Sequence, residues 1–171
     1  MAVSSQRIRE IQQELTRRER APQEGSESTV DYLAFFLGEE RFAFPLRDVQ
    51  EVARLGPITP IPGVHPAVLG AIARHGEVLP VLDLRRLLRL QEAPQGPESR
   101  LLIVRHGDTR AALLVDRVED IVAVPERSFH TPPAPAQEAT SSFLQALAGD
   151  GPAMLRILDL AALLETVRHG T

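Results

Sequence analysis

The sequence predicts an all-β protein: two small barrels packed together by internal duplication, with short helices and a helical N-terminal extension. Three observations carry this. Stretches of the chain repeat in order at a spacing of about 70 residues. Apolar runs of strand length follow one another through short Gly-containing turns, with no long helix between them, which favours antiparallel pairing. Short strands in units this small tend to close on themselves, which removes exposed edges.

Bulk composition sets the frame. The chain has 171 residues, is 43% hydrophobic and carries one Tyr, six Phe and no Trp, so its core is built mainly from Leu, Val, Ile and Ala. The net charge is -4, and all 19 basic residues are Arg. No basic block stands out, so nucleic-acid binding lacks its electrostatic footprint. The absence of Cys excludes a disulfide framework, thiolate metal sites and cysteine catalysis. The N-terminus is charged, and no apolar run approaches the roughly 18 residues of a membrane span. A cytoplasmic protein without direct membrane insertion is expected.

Residues 1–28 read as an extension. SSQRIREIQQELTRRER (4–20) contains good helix formers, with Val3, Ile8, Ile11 and Leu15 as a thin apolar stripe. A frayed surface helix is the plain reading, and a helix docked on the body or on a partner is the sharper one. The stripe is too narrow to choose between them. APQEGSES (21–28) reads as a linker.

The folded domain is expected over 29–171, as two units of roughly 30–95 and 99–167. YLAFFLG and RFAFPL are strands around the turn at 38–40, followed by RDVQEV. LLIVRHG, GDT, RAALLV and DRVEDIV repeat this plan 69 positions later: Gly38 falls on Gly107, Arg41 on Arg110, Val49 on Val118 and Glu51 on Asp120. GEVLPVLDLRRLLRL (76–90) and PAMLRILDLAALLET (152–166) complete the halves, each a strand running into a helical turn that Asp83 or Asp159 can cap. A half this small is marginal alone, so the two are expected to pack around a shared seam. The Pro-rich segments 56–66 and 129–137 reject regular structure. SSFLQALAG (141–149) reads as a short helix, with Ser142 as cap and Gly149 as stop.

Catalytic chemistry finds no purchase. His65, His75, His106, His130 and His169 form no ligand spacing that selects a metal. No GxSxG elbow or phosphate loop is present, the serines lie in linkers or at helix starts, and capping explains Asp83 and Asp159. One ionic arrangement stands out: Glu51 after a strand end, facing a tight loop that carries Arg74 and His75. Partly buried, such a pair would lock the loop; exposed, it would contribute almost nothing.

YLAFFLGEERFAFPLRDVQEV, ITPIPGVHPAVLGAIARHGEVLPVLDLRRLL and AALLVDRVEDIVAVP together resemble the CheW-type coupling proteins of bacterial chemotaxis, over residues 30 to 167. The resemblance implies two intertwined SH3-like five-stranded barrels and a non-enzymatic adaptor with no cofactor. It implies as partners the regulatory domain of the chemotaxis histidine kinase, at an exposed barrel end, and the cytoplasmic tip of methyl-accepting chemoreceptors, at the apolar seam. Other CheW-like domains are further partners it implies, with recruitment to the inner face of the membrane through receptor arrays. Matched by position, the family's partner-binding or loop-organising residues become Val49, Glu51, Pro62, Gly63, Gly70, Gly76, Val115, Asp116 and Val118.

The chain departs from the family at 70–77. Where the family reads Gly-Val-Ile-Asn-Leu-Arg-Gly-Glu, this chain has Gly70-Ala71-Ile72-Ala73-Arg74-His75-Gly76-Glu77. The Arg that partners the family's Glu becomes His75, with an Arg displaced by one step to 74. One step along a strand changes the face a side chain points to, so Arg74 is not bound to replace it, and His75 remains able to pair with Glu51. The family's Thr-Gly near 144–147 is replaced by LQAL. Such departures make room for an alternative: a divergent member of a motility or developmental pathway that binds receptor or another partner but holds the kinase only weakly or not at all. An unrelated small-barrel interaction module is the remaining alternative.

Overall fold

The computed structural model describes residues 4–20, 28–131 and 139–169. Val3, most of the 21–28 linker and most of the Pro-rich segment 129–137 lie outside the described residues.

Helix α1 (Ser5–Arg20) precedes the strands of the first repeat: β1 (Thr29–Leu37), β2 (Glu40–Pro45), β3 (Val49–Arg54), β4 (Val68–Arg74) and β5 (Glu77–Asp83), followed by α2 (Leu84–Leu87). The second repeat supplies β6 (Arg100–His106), β7 (Thr109–Val115), β8 (Arg117–Pro125), the two-residue β9 (Phe129–His130), β10 (Leu144–Ala148), β11 (Leu155–Leu158) and α3 (Leu160–His169). Gly38 and Gly107 open the equivalent two-residue turns after β1 and β6 with φ of +63° and +60°, values that a glycine adopts without steric cost. Asp83 Oδ1 accepts from the Arg85 amide at 3.0 Å and Asp159 Oδ1 from the Ala162 amide at 3.2 Å, so both aspartates cap the helices that follow.

Two sheets result, of order β8-β1-β2-β11-β10-β9 and β3-β6-β7-β5-β4. Each takes two strands from one repeat and the rest from the other. The joins are themselves duplicated. β1 pairs with β8 as β6 pairs with β3, both antiparallel. β2 pairs with β11 as β7 pairs with β5, and these two joins are parallel, which short turns between neighbouring strands do not foretell. The first sheet has six strands because β9 adds a short sixth. Residues 126–128 carry the chain from edge strand β8 to edge strand β9, so this sheet curls until its edges meet.

Register shifts repeat with the same symmetry. β3 bulges between Val49 and Glu51, and β8 at the equivalent step between Val118 and Asp120. β4 bulges between Val68 and Gly70, and β10 between Leu144 and Ala146. A bulge bends its strand and re-aims the side chains beside it, which suits strands that must wrap a small barrel.

Three apolar clusters follow. Tyr32, Ala34, Ala43, Leu155 and Ile157 are among those lining the first sheet's interior. Leu79, Val81, Leu101, Ile103 and Ala112 are among those lining the second's. The largest cluster lies between the sheets, where Leu33, Phe35, Phe44, Leu102, Val104 and Leu113 meet Leu84, Leu87, Leu160 and Leu163 of α2 and α3. Central strands are therefore covered on both faces, which explains near-continuous apolar runs such as YLAFFL and AALLV.

One expected element is replaced. Residues 139–143 form a 3₁₀ turn and 144–148 form β10, where a helix over 141–149 was expected. Hydrogen bonding to β11 on one side and β9 on the other overrides the local helix preference of LQALA.

Candidate partner-binding surface

Glu51 follows the β3 bulge at one edge of the five-stranded sheet, and the β4–β5 hairpin lies at the other edge. Both residues of that hairpin turn have positive φ, His75 at +49° and Gly76 at +78°, as a two-residue I′-type turn requires. The turn brings a guanidinium and an imidazole to one carboxylate. Arg74 Nη2 donates to Glu51 Oε1, and His75 Nε2 lies 3.3 Å from Oε2. The one-step displacement of the arginine therefore does not cost Glu51 its guanidinium partner. Glu51's side chain is 15% exposed, against 34% for Arg74 and 71% for His75. The Arg74 hydrogen bond holds the Glu51 carboxyl below its ordinary range against the opposing effect of desolvation, with the guanidinium charge and His75 adding to the lowering. The same bond raises Arg74. Arg74 Nε is buried without a hydrogen-bond partner, which subtracts from what the pair contributes.

Beside this pair, Arg110 of β7 donates to Glu77 and, at 2.9 Å, to Gln50 at the bulge. Arg41, its repeat equivalent, donates to Glu119, the repeat equivalent of Gln50. Gln50, Glu77, Arg105, Asp108 and Arg110 line an open depression of about 750 Å³, with the 75% exposed Val78 on its wall. The rim is polar and charged around one exposed aliphatic side chain, a composition suited to a protein partner.

The loop of residues 56–66 is a second exposed element. Pro62 and Gly63 lie at its exposed tip, with Gly63 at φ +74° and Ile61 and Val64 about two-fifths exposed. Thr59 and Ala71 exchange backbone hydrogen bonds of 2.9 and 2.8 Å, which pins the loop to β4. Gly70 is what lets the loop approach: a Cβ there would sit 2.2 Å from the Thr59 carbonyl oxygen.

The remaining expected residues belong to the seam. Val49 and Val115 are fully buried in the central cluster, and Val118 packs against it from the rim. Asp116 accepts from the Gly38 amide at 2.7 Å and takes both Nε and Nη2 of Arg85, so α2, the β1–β2 turn and the start of β8 are tied at one carboxylate. Desolvation pushes its carboxyl up, but the Arg85 and Gly38 hydrogen bonds and the Arg85 charge outweigh that and leave it lowered. The structure thus brings Glu51, Arg74, His75 and Gly76 together, keeps Pro62, Gly63 and Gly70 with the 56–66 loop, and sets Val49, Val115, Asp116 and Val118 at the seam.

Sequence reasoning missed Arg85, Arg110 with Glu77 and Gln50, and the exposed Val78. The exact repetition of Arg41 at Arg110 was the available signal for the second of these. Among the described residues, no group of three His, Asp or Glu could hold a metal, and no helix is long and apolar enough to cross a membrane.

Comparison with known proteins bears on the family and the fold. Protein FrzA of Myxococcus xanthus is 32% identical over 140 residues, covering 81% of this chain and 88% of FrzA. Chemotaxis protein CheW of Bacillus subtilis is 28% identical over 133 residues, covering 78% of this chain and 85% of that one. The crystal structure of scaffolding protein TtCheW from Thermoanaerobacter tengcongensis matches with a TM-score of 0.75 at 28% identity, covering 81% of this chain and 94% of that chain. The CheW-like domain family matches residues 31–168, which run from β1 into α3 and take in both repeats. The chain belongs to the CheW-like domain family.

Proposed function

We propose that this protein is a non-enzymatic coupling scaffold that joins a chemotaxis-type histidine kinase, through its regulatory domain, to the cytoplasmic tips of methyl-accepting chemoreceptors. The working location is the inner face of the membrane, reached from the cytoplasm through receptor arrays. The observation that carries the reading is the ionic pairing at the barrel end. Glu51 is held by Arg74 and His75 although the family's arginine position is occupied by histidine, which supports a charged face for the kinase at this end. At the seam, half-buried Val118 supplies apolar surface for the receptor, and Val49 and Val115, buried beneath it, hold that face in shape.

Co-sedimentation tests this directly. Vesicles carrying receptor from the same genome are spun with kinase, with and without this protein. Kinase in the pellet only when this protein is present supports coupling. This protein in the pellet without the kinase would replace the reading with that of a divergent, receptor-only adaptor. Neither in the pellet would remove it.

A further inference from the structure

Helix α1 precedes the family-matched region, so the shared fold does not require it. It nevertheless docks. Ile8 is fully buried in the central cluster that holds Leu46 and Val49, and Ile11 and Val52 pack against the rim of that cluster. Gln12 Nε2 donates to the carbonyls of Leu46 at 3.0 Å and Val49 at 2.8 Å, and Ser5 Oγ donates to the carbonyl of Val52 at 3.1 Å. β3 is an edge strand, so some of its carbonyls face away from β6 and need other donors. Ser5, Ile8, Ile11 and Gln12 are the side chains of one narrow helical stripe, at i, i+3, i+6 and i+7. What they occupy is a groove shaped for a single amphipathic helix: an apolar floor with backbone acceptors along one wall.

The attachment is slight. Among the described side chains of α1, Ile8 alone is fully buried, and Ser5 and Gln12 anchor to backbone carbonyls a helix whose sequence is otherwise rich in Arg and Glu. We infer that α1 is a tethered, displaceable occupant of a helix-binding groove formed by Leu46, Val49 and Val52, and that a partner helix binds by evicting it. The occupant that replaces it carries aliphatic side chains at i and i+3 and a donor amide at i+4, the pattern that Ile8, Ile11 and Gln12 present. This inference rests on the coupling reading above in taking a helix of the receptor tip as that partner. The tether then sets the receptor affinity, because only the undocked fraction of molecules is competent to bind.

The absence of Cys makes the full chain convenient for labelling. Arg9→Cys on α1 and Arg54→Cys on β3, both at exposed positions, carry a spin-label pair whose separation is measured with and without the helical-hairpin tip fragment of a receptor from the same genome. The expected result is a lengthened separation on adding the fragment. Ile8→Asp and, separately, Gln12→Ala in the full chain are expected to bind the fragment more tightly, by about tenfold where α1 is docked nine-tenths of the time. Circular dichroism confirms that each variant is folded. Binding with an unchanged label separation, and with equal affinity for wild type and both variants, overturns the inference and leaves the coupling reading standing. No binding by any of the proteins removes the receptor reading and the inference with it.

Discussion

Replacing Gly70 with alanine should unlatch the 56–66 loop. The added Cβ would sit 2.2 Å from Thr59 O, 2.8 Å from Thr59 C and 2.8 Å from Ile58 Cγ2, and two of these three atoms are backbone. No rotamer change relieves such contacts, so either the loop or β4 must move. Gly70 also has φ +153°, which side chains rarely adopt. Moving the loop breaks both Thr59–Ala71 hydrogen bonds, each contributing about 1 kcal/mol net. Keeping it in place costs about 1–3 kcal/mol in backbone strain, before any steric term. Either route gives a loss of about 2–4 kcal/mol, read as a shift of the urea midpoint at unchanged slope. Hydrogen exchange then separates the routes, because loop release speeds exchange at the Thr59 and Ala71 amides while leaving β6 and β7 protected. A loss under about 0.5 kcal/mol, with both amides still protected, would refute the close-approach reasoning.

Three further outcomes are expected. A double-mutant cycle with Glu51→Gln and Arg74→Gln should give a coupling of about 1 kcal/mol, since a third-exposed Arg74 discounts a charge-assisted bond to a mostly buried carboxylate; additive single effects would mean that the pair contributes nothing. Glu51 and Asp116 both titrate below their ordinary values of 4.5 and 3.8, so the unfolded chain takes up their protons first. Their stabilisation is complete above about pH 5 and is lost as the pH falls through the folded values, and Glu51→Gln with Asp116→Asn should flatten that acid limb; an unchanged slope in urea melts from pH 6 to 3 contradicts the assignment. Leu163→Ala, at a fully buried site in the cluster between the sheets, should cost about 2–5 kcal/mol while unfolding stays a single transition by near- and far-UV circular dichroism; two separate transitions would mean that the sheets do not share one core.

Much of the fold was legible because both faces of the central strands are buried, which writes long apolar runs, and because the repeat preserves Gly38 at Gly107 and Asp83 at Asp159. The pairing between repeats was not legible. A repeat tells which segments are equivalent, not which partners they take, and the parallel joins of β2 to β11 and β7 to β5 leave no mark in either strand's sequence. LQALA contains good helix formers, and only its two hydrogen-bonded neighbours make it a strand. At the barrel end, Glu51 and the 74–76 turn could be named from sequence, but the reach of Arg74 across the sheet edges depends on a bulge at Gln50 and a turn at positive φ. The burial of Ile8 was equally hidden, since a stripe of Ile8 and Ile11 reads alike on a solvated helix and a docked one.

The central claim is that this scaffold presents an intact kinase-binding face. Titration calorimetry of the purified 171-residue chain against the regulatory domain of the histidine kinase from its own genome tests it most directly. A saturable isotherm at micromolar Kd or tighter, weakened at least tenfold by charge reversal in Glu51→Arg, is the predicted result. No detectable heat across a range of temperatures, from protein shown to be folded, would contradict it.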